Sequence, residues 1–162
     1  MSRVAAALAC LLLAACGFQL RGEVATGFRS LHLGADVPSQ VATEVRRQLA
    51  GSPTRLAAGA VEADVHLRIL SESTEKTIQT LTGAGRVFDY QLRLRVGYQV
   101  TVPPEKVLVA PTEIELRRTI SYSESAPLAK EAEERLLFDD MRGEAATRIL
   151  RQIAVARSQA AP

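Results

Sequence analysis

The chain of 162 residues contains no tryptophan, and its seven phenylalanines and tyrosines make up 4% of it. A carrier that shelters acyl chains in a cavity is commonly lined with aromatic side chains, so this scarcity weighs against one. Cysteine occurs twice, at Cys10 and Cys16, and histidine twice, at His32 and His66. A metal site draws on three or four converging ligands, and few are on offer. An excess of charge is missing too: 20 Lys and Arg face 18 Asp and Glu, whereas a nucleic-acid binder carries a strongly basic balance. A membrane-spanning helix takes about 20 apolar residues. The apolar run from Val4 to Ala15 covers twelve.

That run is a secretory signal instead. Met1-Ser2-Arg3 gives the basic start, Val4 to Ala15 the apolar stretch, and Leu13-Ala14-Ala15-Cys16 the ending. Small residues before a cysteine, with leucine three positions back, form the lipobox of bacterial lipoproteins. This segment resembles that class. The resemblance implies that residues 1–15 are removed and that the Cys16 thiol takes a diacylglycerol. Its freed amine would be acylated in turn, palmitate being the expected chain. One acyl chain binds a bilayer marginally, whereas two or three hold it. Gly17, where an aspartate tends to retain lipoproteins at the inner membrane, is compatible with export to the outer one. With Cys10 leaving in the signal and Cys16 acylated, no disulfide can form within the chain, and the fold must hold by core packing.

The remaining 147 residues suit one domain. Gly17 to Gly27 has three glycines and no period, so residues 16–27 read as a tether and 28–157 as the domain, with a frayed tail at 158–162. Within the domain, Val87 to Val102 dominates. Phe88, Tyr90, Leu92, Leu94, Val96, Tyr98, Val100 and Val102 alternate with largely polar residues. Side chains alternate across a strand, which makes this a long strand with one face for a core.

The other elements follow from similar patterns. Leu31 and Leu33 mark a short first strand. Val41, Val45 and Leu49 form the stripe of a short helix after Asp36-Val37-Pro38-Ser39. Ala63 to Ile69 alternates as a second strand, which stays extended to Thr82 without its apolar face. A brief strand at Arg55 to Ala57 is compatible with the loop between. Thr82-Gly83-Ala84-Gly85 predicts a hairpin turn, and Val107 to Tyr122 returns as a fourth strand interrupted by Arg118. After Pro127, apolar residues from Leu128 through Leu136, Met141, Ala145 and Ile149 to Ile153 recur about every four positions, predicting a long amphipathic helix. The order is β-α-β-β-β-α, an α+β two-layer sandwich: a four-stranded, mostly antiparallel sheet covered on one face by two helices.

The sequence offers no catalytic constellation. G-x-S-x-G, H-E-x-x-H and phosphate-cradling loops are missing. His32 and His66 stand opposite the apolar registers of their strands, as surface residues do. Glu131, Glu133, Glu134, Asp139 and Asp140 spread around a solvated helix face. No enzyme and no cofactor are expected. Basic residues remain: Arg86 beside the hairpin, Arg118 with Arg117 on the fourth strand, and Lys130 in the first turn of the last helix, where a cation opposes the helix dipole. Were they to bind a ligand, phosphate suits them.

Taken together, several segments resemble one family, the lipopolysaccharide-assembly lipoproteins of LptE type. They are Cys16-Gly17-Phe18-Gln19-Leu20-Arg21-Gly22, Phe88-Asp89-Tyr90-Gln91-Leu92, Arg118 to Tyr122, and Pro127-Leu128-Ala129-Lys130-Glu131 followed by Asp140-Met141 and Ile149-Leu150. The resemblance implies a non-enzymatic, lipid-anchored protein on the periplasmic side of the outer membrane. It would plug and help assemble the LptD β-barrel, and bind lipopolysaccharide on its way to the outer leaflet. Lys130 matches a lysine of the family's helix start and Arg118 a basic residue before that helix; Arg86, one residue past the glycine turn, is the third candidate contact for lipopolysaccharide phosphates. The alternative is a periplasmic lipid carrier or another outer-membrane assembly lipoprotein.

Overall fold

The computed structural model describes residues 26–123 and 126–160. Five strands form one sheet: β1 (Ser30–Ala35), β2 (Arg55–Leu56), β3 (Val65–Leu81), β4 (Val87–Val102) and β5 (Lys106–Ser121), in the order β2-β1-β3-β4-β5. β1 runs parallel to both β2 and β3, and the β3-β4-β5 meander is antiparallel. The expected count of four is thus corrected to five. The fifth is β2, the brief strand compatible with the sequence at Arg55 to Ala57, and it closes one edge of the sheet through Arg55 N–H to Arg29 O and Ala57 N–H to Leu31 O.

Helices α1 (Gln40–Leu49) and α2 (Pro127–Ala160) cover one face. Ser39 caps α1: its Oγ accepts from Ala42 N–H at 2.9 Å and donates to Glu72 of β3 at 2.6 Å, while Glu72 also accepts from Val41 N–H at 3.1 Å. A carboxylate at a helix N-terminus complements its dipole. α1 packs on α2 through Gln48, whose amide donates to Gly143 O and accepts from Thr147 Oγ1. The tail predicted at 158–162 is helical as far as Ala160.

The core unites Leu31, Val41, Val45, Leu67 and Ile69 with Leu92, Leu94, Val96 and Val100 of β4 and with Met141, Ala145, Ile149, Leu150 and Ile153 of α2. It runs from the proximal end, where the chain enters, past the middle of the sheet to Leu92 and Ile120. Thr26, assigned by composition to the tether, is fully buried and hydrogen-bonded through Oγ1 to Thr54 Oγ1 at 2.8 Å. Thr54 in turn donates to Phe28 O at 3.1 Å, so the ordered domain includes Thr26.

Halfway along β3 the chemistry of the helix-facing side changes. The β3-β4 register slips between Ile69 and Ser71. Such a bulge shifts the strand by one residue, and a one-residue shift exchanges its faces. Gly97 makes room for it, since a β-carbon there would come within 2.5 Å of Ser71 Oγ. Before the bulge Val65, Leu67 and Ile69 are buried; beyond it Glu72, Thr74, Lys76 and Ile78 pair with Val96, Leu94, Leu92 and Tyr90.

Candidate functional site

Beyond the bulge, β3 meets α2 through charge, while Leu92, Leu94 and Val96 of the neighbouring β4 stay in the apolar core. Arg142 of α2 approaches Glu72 at 3.7 Å, and Glu134 accepts from Lys76 Nζ at 2.5 Å. Arg118, across from Leu92 in the middle of the β4-β5 ladder, donates from Nη2 to Glu144 at 2.6 Å and to Asp140 at 3.3 Å. The Arg118 bond, seconded by one from Arg148, holds the Glu144 carboxyl below its ordinary range despite partial burial. The apolar stripe read along α2 therefore stops short. Met141 is fully buried and Leu137 and Phe138 pack partly against the core, but Leu128 and Leu136 are 77% and 70% exposed.

The distal end gathers apolar side chains in the open: Ile78, Leu81, Phe88 and Tyr122 are each more than 40% exposed, alongside Leu128 and Leu136. Tyr90 and Tyr122 meet edge to face with ring centroids 5.7 Å apart, and Lys76 Nζ lies 4.5 Å above the Tyr90 ring. Exposed apolar side chains gathered at one end of a domain are the kind of surface that marks an interaction site. Cations border it. Lys130 Nζ donates to Ser121 Oγ at 3.1 Å and to Glu133 at 2.9 Å. Arg86 follows the β3-β4 turn, closed by Thr82 N–H to Arg86 O and Gly85 N–H to Thr82 O, with Gly85 at φ +77°.

The three basic candidates do not converge on one point. Arg118 holds α2 at Asp140 and Glu144, and Asp140 lies ten residues from Lys130, which at 1.5 Å per residue is about 15 Å along the helix. Lys130 reaches the end of β5, where Ser121 pairs with Asp89; Arg86 is three residues farther along β4, about 10 Å at strand spacing. Lys130 and Arg86 thus flank the patch, while Arg118 is spent on a joint between β5 and α2. Cys16 lies outside the described residues. Sequence reading missed Lys76 and the exposed patch. The run Ser71-Glu72-Ser73-Thr74-Glu75-Lys76, extended yet without an apolar face, was the available signal.

The face away from the helices is polar along its length. Arg93 pairs with Glu75 at 3.2 Å, and Glu115 accepts from Arg95 at 2.9 Å and from Arg117 at 2.5 Å. Those two hydrogen bonds hold the Glu115 carboxyl below its usual range. His32 and His66 are neighbours across β1 and β3, ring centroids 6.0 Å apart, and His66 Nε2 donates to Ala60 O at 2.7 Å.

Comparison with known proteins agrees with this architecture. Residues 25–153 match the model of the family described as LptE, lipopolysaccharide-assembly. The LPS-assembly lipoprotein LptE of Pectobacterium atrosepticum is 33% identical over 150 residues, covering 90% of this chain and 80% of that protein. The protein of the same name from Yersinia pestis is 33% identical, covering 90% and 72%. Among solved structures, an uncharacterized lipoprotein B from Nitrosomonas europaea aligns with a TM-score of 0.76 at 28% identity, over 89% of this chain and 94% of that one. The rare lipoprotein B of Shewanella oneidensis aligns with a TM-score of 0.70 at 29% identity, over 80% and 97%.

Proposed function

The chain belongs to the LptE family of lipopolysaccharide-assembly proteins, and from that premise we propose that it is a non-enzymatic outer-membrane lipoprotein, anchored through Cys16, that plugs and helps assemble an LptD-type β-barrel and binds lipopolysaccharide during its delivery. The observation that carries the lipid part is the distal patch, where open apolar side chains lie beside Lys76, Lys130 and Arg86. Acyl chains favour the former and phosphates the latter. The barrel part is supported by the ion-paired outer sheet face, a poor match for lipid tails and a good one for a lumen whose inward residues are polar. A lipid carrier would need an enclosed apolar cavity, whereas the space beneath α1 and α2 is filled by side chains of zero exposure.

Affinity purification from solubilised outer membranes tests the partner. A large barrel protein should co-purify in equal amount; its absence would sink the proposal. For the ligand, Lys130→Asp combined with Leu128→Ser should reduce lipopolysaccharide retention severalfold while the thermal midpoint stays within about 2 °C, since both residues lie outside the buried core.

A further inference from the structure

We propose that the cleft where α2 passes over the β5 edge of the sheet binds a phosphorylated saccharide, its phosphate held between Arg148, Arg151 and the Tyr98 hydroxyl. The proposal deepens the lipopolysaccharide reading and rests on it for the identity of the natural ligand. It starts from a break in the β4-β5 ladder. Tyr98 pairs with Thr112 and Val100 with Val109, so β5 carries one extra residue there, at Ala110-Pro111. Proline has no N–H to give to a ladder, and a bulge bends the strand that contains it. Thr112 Oγ1 donates to Ala110 O at 2.9 Å, which occupies that hydroxyl's proton. Beside the bulge a cleft of about 330 Å³ opens between β4, β5 and α2. It lies on the helix side of β5, opposite the outer sheet face that a plug would set against the barrel wall, so the two roles do not compete for one surface.

The cleft holds donors without acceptors. Tyr98 lines it with only 2% of its surface exposed, and its hydroxyl has no hydrogen-bond partner among the described residues. A buried polar group left unmatched costs free energy, so a partner is expected. Burial also raises the pKa of this hydroxyl above the ordinary 10, which keeps it a donor. Two guanidiniums line the same cleft from α2. Arg148 gives one bond, from Nη2 to Glu144 at 2.6 Å, and Arg151 has no hydrogen-bond or ion-pair partner among the described residues. No carboxylate competes for them. Glu144 is the last acidic residue in the sequence, and Glu113 falls between Thr112 and Ile114 on the strand, which turns it to the other face. The missing partner is therefore an oxyanion. Guanidiniums reach it from the helix and the hydroxyl from the sheet, so acceptors must point out of one plane, which tetrahedral phosphate offers and planar carboxylate does not. Ile114 and Val155 add apolar walls and Gln152 an amide. The volume is at the lower end for small-molecule pockets, room for one sugar that lays its C–H groups on the former and a hydroxyl on the latter. Arg151 lies 21 residues beyond Lys130, about 30 Å along α2. A lipid end at the distal patch and a phosphosugar in the cleft are then two contacts of one long ligand.

The test uses the mature acylated protein in an uncharged detergent, with labelled isoleucine and valine methyl groups read by NMR. Glucose 6-phosphate should shift the Ile114 and Val155 signals and glucose should not, while inorganic phosphate should need about tenfold more for half the shift. Arg151→Gln removes a charged hydrogen bond and should weaken glucose 6-phosphate binding about tenfold. Tyr98→Phe should weaken it about fivefold while the thermal midpoint holds or rises, because the hydroxyl removed has no partner in the free protein. A midpoint that falls marks that hydroxyl as structural and overturns the proposal. So does an equal response to glucose 6-phosphate and inorganic phosphate, or a response only to an oligoglutamate peptide, which would give the cleft to an acidic protein segment. A protein that retains lipopolysaccharide yet shows no Ile114 shift refutes the cleft alone. One that shows the shift yet retains no lipopolysaccharide supports the cleft and refutes the reading beneath it.

Discussion

Replacing Arg118 with glutamine separates a structural arginine from a ligand-binding one. In the native fold its guanidinium donates to Glu144 and Asp140 of α2 and to Arg117 O at 3.0 Å, so one side chain ties the edge strand to the helix. About a third of both the Arg118 and Glu144 side chains is exposed. Solvent therefore screens the pair, and its coupling belongs near the upper end of surface ion pairs, about 0.5–1 kcal/mol. With the second carboxylate left unpaired, Arg118→Gln should cost about 1–1.5 kcal/mol in all, a fall of about 3–5 °C in the thermal midpoint for a domain of this size. A double-mutant cycle with Glu144→Gln isolates the coupling. Acid offers an independent readout. Because Arg118 lowers the Glu144 pKa below its ordinary 4.5, the stabilisation is present above about pH 4.5 and is lost as pH falls through the native value. Wild type and variant should therefore converge in stability toward pH 3. Lipopolysaccharide binding should change by less than about twofold, since Arg118 meets α2 about 15 Å along the helix from Lys130 and the distal patch. A variant that melts like the wild type, shows no convergence in acid and loses binding would refute the reasoning and return Arg118 to the ligand site.

Two further outcomes test the packing of the core and the capping of α1. Leu94→Ala, in the middle of β4 with no exposed surface, should cost about 3 kcal/mol in chemical denaturation, whereas Leu136→Ala, on the exposed side of α2, should cost less than about 0.5 kcal/mol. Ser39→Ala removes the cap of α1 and leaves the Glu72 carboxylate without its hydroxyl donor; it should cost about 1–2 kcal/mol and raise amide exchange in the first turn of α1.

The sequence predicted the elements with one-dimensional signatures well and the contacts that need a third dimension poorly. β4 spans Val87–Val102 as its alternation predicts, and α2 starts at Pro127, a residue pre-set for a first helical turn. The slip after Ile69 was unreadable because a bulge is a relation between two strands; Ser71 and Gly97 separately carry no sign of it. The exposure of Leu136 was hidden because a run of apolar residues leaves the helix face open to choice: Leu137 and Phe138, four and three residues before Met141, take the core-facing positions at that turn and Leu136 falls outside them. Of the site candidates, Lys130 and Arg86 border the distal patch, while the carboxylates that pair with Arg118 lie 22 and 26 residues downstream on α2, a separation that no local spacing displays.

The filling of the core by α2 has a consequence for biogenesis. Met141, Ala145, Ala146, Ile149, Leu150 and Ile153 supply one wall of the interior, and they are the last buried residues among those described. Until they arrive, a chain emerging N-terminus first displays Leu92, Leu94 and Val96 to water along a sheet with an unpaired edge. Partners of Gln48 lie 95 and 99 residues away, and contacts that distant close late and slowly. The interval between synthesis of β5 and delivery of α2 is the period when this protein most needs a chaperone, and a nascent chain stalled there would be the species that aggregates.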